Sequence, residues 1–207
     1  MLFRRSLLSL AAAAVLTTGC RYFRPIDPAT GSAHPADPVA PAAPASSPAR
    51  TQANAAVTDA NIAAMVMALN NTDISYARLA PARAERDDIK RFAERMLADH
   101  IGVNGLVNNL LTRLDIAAVD NVASLDMRDE SAEKRDLLRE LSGYKFDSTY
   151  IANEVTYHRK FLASIDNVML PAAQHIEVRG LLNTVRPAVA AHLAHAEQVL
   201  ANVIARQ

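Results

Sequence analysis

Asp73, His100, Glu154, His158 and His192 are side chains of metal-ligand type, and each falls on a line of apolar residues spaced three and four apart. Carboxylate and imidazole together suit a transition ion such as Zn, Cu, Ni or Fe. Polar groups that point into a core are costly without partners, so agreement among four separate stripes says more than any one residue. The bland alternatives are concrete. A lone core histidine more often bonds to a carboxylate or a backbone carbonyl, and a buried polar network can serve only to fix helix register. Glu154 and His158, four apart, also suit a simple side-chain pair. His195 and Glu197 lie off their stripe and are expected in solvent, His175 is expected at a helix end, and Asp99 is expected to point away from the seam. Met65, Met67 and Met96 at helical spacing are read as core filler.

Four long helices must carry these groups. The first is capped by Thr58 or Asp59, follows Ile62, Val66, Leu69, Asp73, Tyr76 and Ala80, and should kink near its end at Pro81. The second, capped by Asp87, runs Ile89, Ala93, Met96, His100, Val103, Val107, Leu110 and Leu114. A polar connection from Asp115 to Ser131 and a short helix near Glu133 to Leu141, ending at Ser142-Gly143, lead to the third. Its line is Ile151, Glu154, His158, Phe161, Ile165 and Val168. The fourth, from about Gln174, carries Val178, Leu182, Val185, Val189, His192, Ala196, Val199 and Val203, with a bend expected at Pro187. Sparse aromatics and glycines, with no sustained β-branched alternation, agree with an all-α antiparallel four-helix bundle in which two hairpins are joined by a long crossover, the ferritin-like arrangement.

Depth follows from spacing, because two positions on a hairpin lie level when the turn is midway between them. The midpoint of Asp73 and His100 falls between Arg86 and Asp87, at the expected turn. That of His158 and His192 is His175, past an expected turn at Leu170 to Gln174, so an offset of one helical turn, ~5 Å, is predicted there. One carboxylate and two or three imidazoles can then converge.

Several chemistries lack their residues. Di-iron bundle sites use Glu-x-x-His on two helices, and here Leu97, Val155 and Val189 stand three before the histidines. No Cys-x-x-Cys-His exists for haem of the c type, and there is no Gly-x-Ser-x-Gly, phosphate-cradling loop or cysteine in the folded part. Zero formal net charge and scattered basic residues exclude a nucleic-acid face.

The N-terminus reads as an address. Arg4-Arg5, an apolar run from Leu7 to Leu16 and Thr17-Thr18-Gly19-Cys20 have the order of an export signal over residues 1–19. This segment resembles a bacterial lipoprotein signal, which implies acylation of Cys20. Thr17 departs from the usual Leu, Val or Ile, so a plain cleaved signal and twin-arginine export at Arg4-Arg5 stay open, with a soluble periplasmic or secreted protein as the result. Arg21 stands where inner-membrane lipoproteins carry Asp, which implies the outer membrane, facing the periplasm. Residues 20–57 hold seven of the ten prolines and no hydrophobic period. They read as a tether, whose roughly 35 residues would reach on the order of 100 Å if extended. The folded part is expected over 58–207.

The segments FAERMLADH at Phe92 to His100, FDSTYIANEVTYHRKFL at Phe146 to Leu162 and RPAVAAHLAHAEQV at Arg186 to Val199 resemble three blocks of a bacterial envelope family, domain of unknown function 4142. The resemblance rests on Asp99-His100, Phe146-Asp147/Tyr150 and Pro187/His192. It implies a ferritin-like bundle, exported or in the outer membrane, with no established activity. Where that family commonly has Glu in its first helix this chain has Asp73, a shorter arm. Two functions fit: a non-catalytic, lipid-anchored envelope protein with structural polar groups in its seam, and a bundle holding one transition ion for sequestration or delivery.

Overall fold

Helix formation begins at Thr58, whose hydroxyl accepts the Asn61 N–H at 3.2 Å while the Asn61 side chain accepts the Thr58 N–H at 3.1 Å, a reciprocal cap. The computed structural model describes residues 56–205. They form α1 (Asp59–Ala77), α2 (Ala80–Arg83), α3 (Asp87–Leu114), α4 (Val122–Arg139), α5 (Gly143–Ser164), a π-helical turn (Ile165–Met169), α6 (Leu170–Ala172) and α7 (Ile176–Ile204), with no strand among them. α1 pairs with α3 and α5 with α7, α3 also meets α7, and α4 crosses between the hairpins packed on α1. The signal, Cys20 and nearly all of the tether expected over residues 20–57 lie outside the described residues.

Pro81 does not kink α1. The helix stops at Ala77 and a new one starts at Ala80, with Pro81 in the first turn, where a missing N–H is no loss. α7 continues through Pro187. Asp87 is the first residue of α3 rather than its cap, which is Arg86.

The crossover is the largest departure. Instead of a polar connection and a short helix near Glu133, α4 runs for 18 residues, entered by a capping box between Asn121 and Ser124. Its buried positions are Ser124, Ser131 and Leu138, seven apart. Two of the three are serine, so only Leu138 marks these buried positions as apolar. Ser142 and Gly143, read as the end of a helix, start α5, with Gly143 at φ 58.

A second departure lies at the end of α5. Pro171 has no N–H to give back along the helix, and just before it the ladder slips so that the Leu170 N–H reaches the Ile165 carbonyl. A π turn needs an extra residue to come round, so Met169 is buried in the place expected of Val168, which is 38% exposed.

Each hairpin turn is held by a carboxylate from the other hairpin. Asp147 of α5 accepts the Glu85 and Arg86 N–H groups at 3.2 and 3.0 Å, ahead of α3. Asp59 of α1 accepts those of Gln174 and His175 at 3.0 and 2.9 Å, ahead of α7. Orphan N–H groups at helix starts are satisfied this way, and the four helices are set to a common depth. Two apolar clusters result. One gathers Tyr76, Phe92, Met96, Phe146, Tyr150 and Val199, the other Ile62, Val66, Phe161, Met169, Leu182 and Val189. No described helix is long and apolar enough to cross a membrane.

Candidate metal centre

Between the two apolar clusters the chain places one polar layer: Asp73 from α1, His100 from α3, Glu154 and His158 from α5, and His192 from α7, all buried. The ring centroids of His100, His158 and His192 are 5.2 to 5.8 Å apart. One nitrogen from each lies within 4.8 Å of the others, and Asp73, Glu154 and His158 meet the same limit. All five expected residues are therefore together. The offset predicted for His158 and His192 is absent, because the helical arm runs on through the π turn and α6 and the chain reverses at 173–175, around their midpoint.

Each imidazole is bonded on its outer side. His100 Nδ1 lies 2.8 Å from Asn70 Oδ1. Asn70 must present oxygen there, since its Nδ2 donates to Asn104 Oδ1 at 3.1 Å and Asn104 Nδ2 in turn donates to Asn71 Oδ1 at 2.8 Å. His158 Nδ1 donates to the Glu154 backbone carbonyl at 2.9 Å and lies 3.5 Å from Glu154 Oε2, so the expected side-chain pair is present as a contact while the hydrogen bond goes to the backbone. His192 Nε2 donates to Asp99 Oδ2 at 2.9 Å. These acceptors assign the tautomers, with a lone pair left on His100 Nε2, His158 Nε2 and His192 Nδ1. Those three nitrogens are buried without a hydrogen-bond partner.

Both oxygens of Asp73 are in the same condition. Asp73 Oδ2 approaches His100 Nε2 to 3.1 Å and His158 Nε2 to 3.3 Å, yet neither contact has the angles of a hydrogen bond. Metal–donor bonds of about 2.0–2.1 Å at tetrahedral angles set neighbouring donors about 3.3 Å apart. The observed edges match that spacing.

Electrostatics separates the two carboxyls. Burial pushes Asp73 up, but the imidazoles, His100 foremost, outweigh it and bring the group below its usual 3.8. Burial, then the charge of Asp73, holds Glu154 well above its usual 4.5, so of the two carboxyls Glu154 keeps its proton to higher pH. Burial also pushes His158 down to about 4 and lowers His192. Neutral imidazole is the form that ligates.

A family model for a domain of unknown function, DUF4142, matches residues 43–199. The chain belongs to the DUF4142 family. No curated protein matches it. Among solved structures, a secreted DUF305 protein from Streptomyces coelicolor is similar in fold, with a TM-score of 0.60 at 12% identity over 70% of this chain and 93% of that one.

The three signature blocks of this DUF4142 chain now have physical content. In the first, His100 enters the layer and Asp99 anchors His192 of the neighbouring α7. In the second, Asp147 holds the turn before α3 while Phe146 stacks on Tyr150 at 5.4 Å. The third supplies His192. Asp73 still brings an oxygen to two imidazoles in spite of its shorter arm.

Two expectations are corrected. Asp99 does not point away: it is 41% exposed and reaches across to α7. His195 is only half exposed, its ring 5.1 Å from that of Phe92. His175 is a helix-end residue as read, capping α7. Asn70 was missed because it opens the polar run Asn70-Asn71-Thr72-Asp73, in which nothing by type separates the buried amide from the exposed one. A cavity of about 1290 Å³ between α4 and α5 includes Met127, Leu137 and Tyr157 in its walls and none of the five layer residues.

Proposed function

We propose that this domain is a non-catalytic, exported metal-binding bundle that holds one divalent transition ion on His100, His158, His192 and Asp73, with Glu154 beside it, for sequestration or delivery. The observation that carries the reading is the set of inward lone pairs. Three imidazoles bonded on their outer nitrogens leave their inner ones, and a carboxylate that approaches two of them at 3.1 and 3.3 Å, without hydrogen bonds in one buried layer. A polar network that only fixed register would close its hydrogen bonds within itself, because a buried unsatisfied group costs about 1–3 kcal/mol. Metal-binding histidines carry such outer partners as a rule, in the form of carboxylates, carbonyls or water. The imidazole-rich donor set suits Zn, Cu, Ni or Fe. Burial of all five groups under two apolar clusters leaves no open position for substrate, which favours holding an ion over turning over a molecule.

The N-terminal signal and Cys20 support export and an outer-membrane lipid anchor, and the fold neighbour in Streptomyces coelicolor is a secreted protein. Protein stripped of metal and titrated with Zn, Cu, Ni and Fe(II) should take up about one ion per chain by calorimetry and elemental analysis. Uptake of none of the four would return the layer to a structural role. For the anchor, labelled palmitate should enter the wild type and be absent from Cys20→Ser.

A further inference from the structure

An ion held in this layer would be sealed from water, since the five groups are at most 4% exposed, so a ligand has to move for it to arrive or leave. We propose, building on the metal-binding reading, that His192 is the moving ligand and that Asp99 with Arg95 forms a latch on the α3–α7 seam through which a divalent ion is admitted and released.

The three imidazoles differ in how they are held. His158 is tied to its own helix, at the Glu154 carbonyl, and is 0% exposed. His100 is tied to Asn70, itself 0% exposed and fixed by the amide ladder through Asn104. His192 alone has an outer partner in contact with water: Asp99 is 41% exposed and is held in turn by Arg95 at 3.3 Å, whose side chain is 62% exposed. A hydrogen bond with a water-accessible partner is opened at low cost, because water replaces the acceptor.

The location agrees. α3 and α7 belong to different hairpins and meet along a shorter seam than α1 with α3 or α5 with α7. Gly102, one turn on from Asp99, leaves open space where a side chain would begin: nothing outside its own helix lies within 4 Å of a Cβ there. When the Nε2–H bond to Asp99 breaks, the ring turns outward and the carboxylate is free to receive a hydrated cation. The ring then returns with Nδ1 on the ion and Nε2–H on Asp99.

Release is read by loading the wild type with Zn and following transfer to a chromophoric chelator in a stopped-flow instrument. Outer-partner changes weaken metal sites by about 10–100-fold. Asp99→Leu, which removes the anchor, should therefore release Zn at least about tenfold faster, with Asp99→Asn, which keeps an acceptor, in between. Asn71→Ala, at the far end of the ladder behind His100, should stay within about twofold because Asn70 and Asn104 remain. In metal-free protein, nitrogen-15 shifts of His192 should report a single Nε2–H tautomer in the wild type and a mixture in Asp99→Leu. Wild-type release from Asp99→Leu, or equal acceleration by Asn71→Ala, would overturn the latch and leave the metal site standing. A wild type that takes up no Zn would remove both.

Discussion

Replacing His192 by leucine separates a metal site from a structural network, because the two readings predict opposite signs for the metal-free protein. His192 sits between Val189 and Ala196 on α7, 4% exposed, with Nδ1 unpartnered and Nε2 on the half-exposed Asp99. Leucine has a similar size. It removes a buried orphan worth about 1–3 kcal/mol and gives up one hydrogen bond of about 1 kcal/mol, whose acceptor can turn to water. The net expectation is a gain of about 1 kcal/mol, and for a domain of this size each kcal/mol moves Tm by about 2–4 °C. In EDTA, His192→Leu should melt at the wild-type temperature or a few degrees above it. Zn at a hundredfold excess over Kd should add about 2.7 kcal/mol to the wild type, or about 5–11 °C, and much less to the variant, which lacks one of four donors. Calorimetric melts with and without Zn measure both. A metal-free variant that melts 5 °C or more below the wild type would refute the reasoning, as that loss requires His192 to be part of a closed network.

Acid should act on the metal-free layer through opposed groups, His158 and His192 against Glu154. The neutral imidazole of His158 has its pKa pushed to about 4 from 6.5, so the unfolded chain binds the proton first and stability falls as pH drops through this window. Glu154, raised above 4.5, adds stability as pH drops towards that value and so masks part of the loss. Glu154→Gln unmasks it, and urea melts in EDTA should show the variant losing on the order of 3 kcal/mol between pH 6.5 and 4; a flat profile would mean that His158 is not buried neutral. Asp147→Ala should cost about 1–3 kcal/mol by leaving the Glu85 and Arg86 N–H groups without their acceptor, while Zn stoichiometry by elemental analysis stays at the wild-type value. Loss of the ion in that variant would show that turn and layer are not independent.

What could be read from the chain, and what could not, divides on whether a signal was apolar. The stripes of α1, α3, α5 and α7 keep a strict apolar period, with the strongest contrast on α3, and the five polar interruptions stand out against them. α4 has an equally regular seam, but Ser124 and Ser131 occupy it, and a serine that packs cannot be told by type from one that faces water. The π turn is invisible to a stripe of period 3.6. It moved Met169 into the place of Val168 and, by lengthening the arm, brought His158 level with His192. Asp99 illustrates a further limit. Its position on α3, next to His100, reads as pointing away from the seam, and only the placement of α7 turns it into a bond with His192.

The charge of the layer argues for one ion over two. With neutral imidazoles, ionisation of both Asp73 and Glu154 gives two negative charges, which a single divalent cation cancels. Burial and the charge of Asp73 raise the Glu154 carboxyl in the metal-free state, and a cation at the inward lone pairs favours its ionisation. A second divalent ion would leave two uncompensated positive charges between Phe161 and Val189 on one side and Met96 and Tyr150 on the other, where no described carboxylate beyond these two is buried except Asp147, already committed to the turn before α3. Uncompensated charge in apolar surroundings is among the costliest states a core can adopt. The bundle is thus matched to a single divalent ion, and saturation at two equivalents would contradict the charge arrangement.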